Sequence, residues 1–224
     1  MNGVFDKAFA EVYRYKWDAQ IIADRLVGGI PSDPKVIKGW IESKFADQDE
    51  RIQELIHKTM ADRGVEIGEA IQLAAEETNV NGFKFDAAAD QLYLEGRQIK
   101  ACIKEASNIR WPKRREWRPG STKGTRSFFA EHVFVLEDRV HLGVREPSGP
   151  PLQGFVHTFR GSSIKYEDYV DEAKLSFTVV ADVKIKEEDW AELWVTAQMQ
   201  GLGASRSQGF GRFTVVGWDA TFHS

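Results

Sequence analysis

Residues 201–213, Gly-Leu-Gly-Ala-Ser-Arg-Ser-Gln-Gly-Phe-Gly-Arg-Phe, set four glycines and two arginines between an amphipathic helix and a final strand. Glycines at this density let the backbone take positive φ and turn successive N–H groups toward an anion, while Arg206 or Arg212 supplies charge. Gly201, Gly203, Ser205, Arg206, Ser207, Gly209, Gly211 and Arg212 are therefore candidate phosphate contacts. The plainer alternative is a helix end plus a close approach of two backbones. Nucleotide-triphosphate machinery does not fit. A P-loop needs Gly-Lys-Ser/Thr between a strand and a helix, whereas here the order is helix, loop, strand, with no lysine in the loop. A dinucleotide fingerprint fails on the same order of elements.

A second cluster lies upstream. Residues 110–126 hold Arg110, Lys113, Arg114, Arg115, Arg118, Lys123 and Arg126 against the single acid Glu116, in a chain whose formal charge is −4. Charge this segregated localises a polyanion to one strip. Trp111 and Trp117 are interleaved with these cations, a pattern that suits unstacked single-stranded bases. Arg97, Lys100 and Lys104 extend the positive ridge along a preceding helix. The alternative is a solvated loop with two tryptophans pinned to the core.

Other chemistry is poorly supplied. His132, His141 and His157 are candidates for general acid or base work, but each stands near or within an apolar strand run where a structural histidine is expected. Glu187, Glu188 and Asp189 suit a helix N-terminus. No histidine pair is spaced to hold a metal, and the lone Cys102 can make neither a disulfide nor a structural zinc site. No catalytic residue, cofactor or metal is expected. The absence of an 18-residue apolar run and of a leader-like N-terminus leads to the expectation of a soluble, cytoplasmic protein with no membrane partner.

The elements that must position these residues follow from periodicity. Residues 12–24 read as a long strand, Asp33 and Pro34 open a helix with Val36, Ile37, Trp40 and Ile41 on one face, and residues from about 47 to 78 read as acidic helices. Residues 83–85 and 91–94 suggest a hairpin, and Ile99, Cys102, Ile103 and Ala106 share one face of a helix from Gly96. Residues 110–126 have no regular period. Strands follow at 133–135, 140–144, 154–157 and 173–182, then a helix at 187–199 and a strand at 211–218. The order without residues 31–90 is βαββαβ. This predicts an α+β, ferredoxin-like (RRM-like) domain with an antiparallel sheet and an acidic helical insertion. Residues 1–32 would form the first part of that core, 33–80 the insertion, and 81–224 the remainder.

The glycine loop resembles the C-terminal glycine-rich loop of the repeat-associated (RAMP) superfamily of CRISPR RNA-binding proteins. Residues 94–104, Leu-Glu-Gly-Arg-Gln-Ile-Lys-Ala-Cys-Ile-Lys, are similar to the segment that opens the first helix in many members. The resemblance covers roughly residues 12–30 and 91–218, and is greatest to a small stand-alone backbone-type subunit. It implies a non-catalytic single-stranded RNA-binding protein, with CRISPR effector subunits or further copies along the RNA as partners. Two other functions stay open: a metal-independent endoribonuclease that processes RNA, and a mobile-element or phage decoy that engages a CRISPR complex. Processing members often carry a histidine near the first helix, and residues 96–106 contain none.

Overall fold

The computed structural model describes residues 3–31, 34–46, 48–77, 79–112, 125–158 and 161–222. They divide into two compact units. One comprises residues 1–27, 84–148 and 170–224, and the other residues 28–83 and 149–169.

The first unit is built on a four-stranded sheet. Its strands are β1 (Tyr15–Val27), β6 (Val133–Val135), β10 (Tyr169–Ala181) and β11 (Phe213–Phe222), in the order β11-β1-β10-β6. Helix α5 (Gly96–Arg110) falls between β1 and β6 in the chain, and α7 (Glu187–Gln200) between β10 and β11. With the core strands counted one to four, this is order 4-1-3-2, the ferredoxin-like arrangement that the βαββαβ pattern predicts. β1 pairs antiparallel with β11, and β10 antiparallel with β6.

Alternation explains which side of the sheet is covered. Trp17, Ala19, Ile21 and Ala23 of β1 and Ala173, Leu175, Phe177 and Val179 of β10 are buried. They meet the apolar face of α5 (Ile99, Cys102, Ile103, Ala106) and that of α7 (Trp190, Leu193, Trp194, Ala197), all buried. Each fully buried large side chain contributes about 1.5–3 kcal/mol. Trp17 and Trp218 stack with ring centroids 5.7 Å apart. Glu187 accepts both indole N–H groups, at 3.2 Å from Trp17 and 3.3 Å from Trp218. The carboxylate expected to suit the helix N-terminus thus also fixes the tryptophan cluster beneath it.

Helix α1 (Gly3–Val12) precedes β1, which starts three residues later than the alternation suggests. Phe9 and Tyr13 are one helical turn apart, with rings 4.9 Å apart, so the aromatic spacing there is helical rather than extended. β4 (Lys84–Asp86) and β5 (Gln91–Glu95) form the expected hairpin, extended by β7 (Arg139–His141) to a three-stranded sheet. Helix α6 (Thr125–His132) occupies the end of the stretch read as irregular. Its eight residues are too few for a period to emerge.

In the second unit, α2 (Pro34–Ala46), α3 (Glu50–Arg63) and α4 (Ile67–Glu77) pack through Ile41, Ile52, Ile56, Ala70, Ile71, Ala74 and Ala75. The same unit holds a sheet of order β2-β3-β9-β8, made from β2 (Ile30–Pro31), β3 (Asn79–Gly82), β9 (Gly161–Glu167) and β8 (Leu152–Thr158). The strand expected at 154–157 therefore pairs here, and β9 is an addition to the sequence reading.

Candidate nucleic-acid interface

The glycine-rich segment leaves α7 and is fastened to the end of β1. The Gly211 N–H donates to Arg25 O at 2.7 Å, Ala204 N–H to Val27 O at 2.9 Å, and Leu202 N–H to Gly211 O at 2.8 Å. Gly203 and Gly211 each hold φ +75°, and a Cβ would stand 2.4 Å from Val27 O at the first and 1.8 Å from Leu202 O at the second. Only glycine fits such positions. The N–H groups of Gly201, Leu202, Ala204, Gln208, Gly209 and Gly211 all donate within the protein. The Gly201, Gly209 and Gly211 amides, expected to be free for phosphate, are therefore spent on the fold.

The middle of the loop is arranged differently. Ser205 is left-handed (φ 53°, ψ 27°) and leads into a right-handed 3-10 turn, Arg206–Gln208. A left-handed residue followed by a right-handed one makes successive N–H groups converge in a nest, an anion-binding concavity. Of its donors, the Arg206 and Ser207 amides give hydrogen bonds to no other described residue.

Two adjoining hollows lie beside this nest. The inner one, about 200 Å³, is lined by Gln98, Ala101, Cys102 and Glu105 of α5 and by Gly201, Leu202, Gly203 and Arg206. The outer one, about 620 Å³, is lined by Glu105, Met199, Gln200, Gly203, Ser205, Arg206 and Ser207. Ligand sites run to roughly 300–1,000 Å³, so the inner hollow suits a phosphate-sized group and the outer one a larger fragment. Arg206 Nη1 donates to Glu105 Oε2 at 2.7 Å. The Cys102 Sγ–H faces Gly201 O at 3.7 Å, and burial pushes this thiol up to about 12.

Sequence reasoning did not single out Gln98, Glu105 or Met199. Gln98, Ala101, Cys102 and Glu105 follow i, i+3, i+4, i+7 spacing, which puts them on one helix face, but no charge pattern distinguished them. Gln98 also accepts the Glu95 N–H at 3.0 Å, holding the start of α5.

The remaining sequence candidates are dispersed. At 100° per residue, Lys100 and Lys104 lie on the flank of α5 away from Gln98 and Glu105. The Lys100 ammonium sits 3.6 Å from the Phe134 ring centroid, and burial together with Lys104 lowers its pKa. Arg97 donates to Glu95 at 2.7 Å, and Arg110 to Glu192 at 2.9 Å. Glu95 is held below the usual carboxylate range by hydrogen bonds from Lys84 and Arg97. Trp111 is half-buried at the end of α5, and Arg212 is exposed. Gly209 has φ +89° with open space around it. Lys113, Arg114, Arg115, Trp117, Arg118 and Lys123 lie outside the described residues, as does the side chain of Arg126.

The uncovered side of the central strands is polar, with Asp18, Gln20, Asp24, Lys174 and Ser176 exposed. RNA-recognition sheets stack bases on aromatic residues of such strands, whereas this sheet turns Trp17 and Phe177 inward. His132 and His141 are engaged, and the side chain of His157 lies outside the described residues. His132 Nδ1 lies 2.9 Å from Asp182, and His141 Nε2 lies 3.1 Å from Asp86. Hydrogen bonds from Arg139 and His141 hold Asp86 far below the usual carboxylate range. Among the described residues, no group of three His, Cys, Asp or Glu side chains could hold a metal ion. No helix among them is long and apolar enough to cross a membrane.

No family model matches the sequence, and no curated protein matches it. Among solved structures, the chain is similar to one in the type III-B Cmr-beta complex bound to cognate target RNA, determined by cryo-EM, at 10% identity and a TM-score of 0.47. That match covers 98% of this chain and 65% of the other, so this protein spans just under two thirds of its length. It is also similar to a chain of a type IV-B CRISPR complex, at 11% identity and a TM-score of 0.41, covering 92% of this chain and 90% of that one.

Proposed function

We propose that this protein is a non-catalytic single-stranded RNA-binding protein, of the kind that the resemblance to CRISPR backbone subunits implies. The nest at Ser205–Ser207 carries this reading, because it sets unspent amides and a guanidinium at the outer hollow. RNA backbones are held chiefly by charge and backbone amides, with bases left to splay or stack. A phosphate seats against the Arg206 and Ser207 amides in the outer hollow, and the adjoining sugar lies in the same hollow beside Met199. Arg212 and the cations of residues 110–126 contact neighbouring phosphates, and Trp111 and Trp117 are the proposed stacking partners of unstacked bases. CRISPR effector subunits or further copies of the chain are the partners this reading proposes.

The test is fluorescence anisotropy with a labelled oligouridine. Ser205→Gly preserves the left-handed conformation and retains affinity. Ser205→Pro forces φ to about −65° and loses affinity. Equal binding by the two variants, with both folded by circular dichroism, refutes the nest as the contact.

A further inference from the structure

The Arg206–Glu105 pair occupies the place where an incoming phosphate would bind. Both residues line both hollows, and their charged atoms are 2.7 Å apart. The side chains are 35% and 43% exposed, and a pair this open contributes little to stability. The loop does not need it either, since backbone hydrogen bonds to Arg25 and Val27 already fasten it.

We infer that Glu105 is a built-in competitor: its carboxylate holds Arg206 until a phosphate group displaces it. This inference rests on the reading of the hollow as a phosphate site. The exchange follows from the donors present. Glu105 engages the guanidinium, whereas a phosphate group has oxygens enough to accept from Arg206 and from the Arg206 and Ser207 amides together. A lone carboxylate ligand offers no comparable gain over Glu105. The device thus favours phosphodiesters over acidic peptide side chains and sets a threshold against weak anions. Cys102, at the floor of the inner hollow, feels both partners, Arg206 favouring its thiolate and Glu105 opposing it.

The test follows the backbone amide resonances of Arg206 and Ser207 during titration with inorganic phosphate, and separately with oligouridine. It uses wild type, Glu105→Gln, Arg206→Ala and the double variant. Glu105→Gln is expected to tighten phosphate and RNA by about 1.4- to 5-fold, the range set by an exposed ion pair. In the Arg206→Ala background the same change should have no effect. Unchanged or weaker phosphate binding by Glu105→Gln overturns the inference. So does tightening that persists without Arg206, because that would be general relief of repulsion. Failure of every variant to bind RNA, with phosphate tightening intact, refutes the RNA reading alone.

Discussion

Alanine at Gly211 and at Gly209 separates the glycines that build the fold from those that only turn the chain. Both have positive φ, +75° and +89°. A left-handed conformation costs a residue with a Cβ about 1–2 kcal/mol, partly offset by about 0.4–1 kcal/mol of lost freedom in the unfolded chain. Gly209→Ala has open space around its Cβ, so a net cost of about 1 kcal/mol is expected. Gly211→Ala sets a Cβ 1.8 Å from Leu202 O, and relieving that overlap must disturb the Leu202 N–H to Gly211 O and Gly211 N–H to Arg25 O hydrogen bonds. At about 1 kcal/mol per bond, the total reaches about 3 kcal/mol. The two variants should differ by about 2 kcal/mol, or about 4–8 °C in Tm for a chain of this size. Tryptophan fluorescence during urea and thermal unfolding reads this directly, because Trp194 lies 6.2 Å from Phe213 at the loop's end. Equal stabilities for the two variants would refute the close approach.

Replacing Arg114, Arg115 and Arg118 together with Ala should weaken oligouridine binding and flatten its salt dependence by about two units of slope, at about 0.7 per released charge on a single strand. An unchanged slope shows that the basic run does not touch RNA. Asp86 has a folded pKa below its unfolded value, so its contribution to stability is present above the usual carboxylate range. That contribution fades as pH falls toward the depressed folded value. Asp86→Asn should lower stability at neutral pH and narrow its gap from wild type on acidification below about 4, as measured by urea unfolding across pH. Cys102, with its thiol raised to about 12, should resist a thiol-reactive disulfide reagent at pH 8 in native protein and react fully in denaturant. Rapid reaction in the native state would contradict its burial.

The core elements were legible because their periods are long. α5 and α7 each bury a stripe repeating at three and four residues, and β1 and β10 alternate over 13 residues each. The ferredoxin-like order followed from these together with the shorter apolar runs at 133–135 and 211–218. The strand was expected to start at Val12 because Tyr13, Tyr15 and Trp17 alternate, whereas Val12 ends α1, residues 3–11 having carried no expectation. The strand at 154–157 was legible as a strand, but it lies in a different unit from β7 before it and pairs with β9, the next strand in the chain. Nothing in an isolated alternating run names its partner.

At the site, glycine density correctly marked a segment of positive φ. Sequence could not show that six of its amides are consumed by hydrogen bonds to Arg25, Val27, Ala197 of α7 and the loop itself, because the farthest partner is 186 residues away. Nor could it pair Arg206 with Glu105, 101 residues apart. Helical spacing does place Lys100 and Lys104 away from Glu105, so the single cradle suggested by net charge divides into two flanks of α5.

The most direct measurement is equilibrium binding of oligouridine to the folded wild-type chain and to Arg206→Ala, at about 0.05 and about 0.15 M salt. The wild type should retain RNA, less so at the higher salt as counterions are released, with a further loss in Arg206→Ala. Wild-type protein that leaves the oligonucleotide free even at the lower salt would contradict the RNA reading.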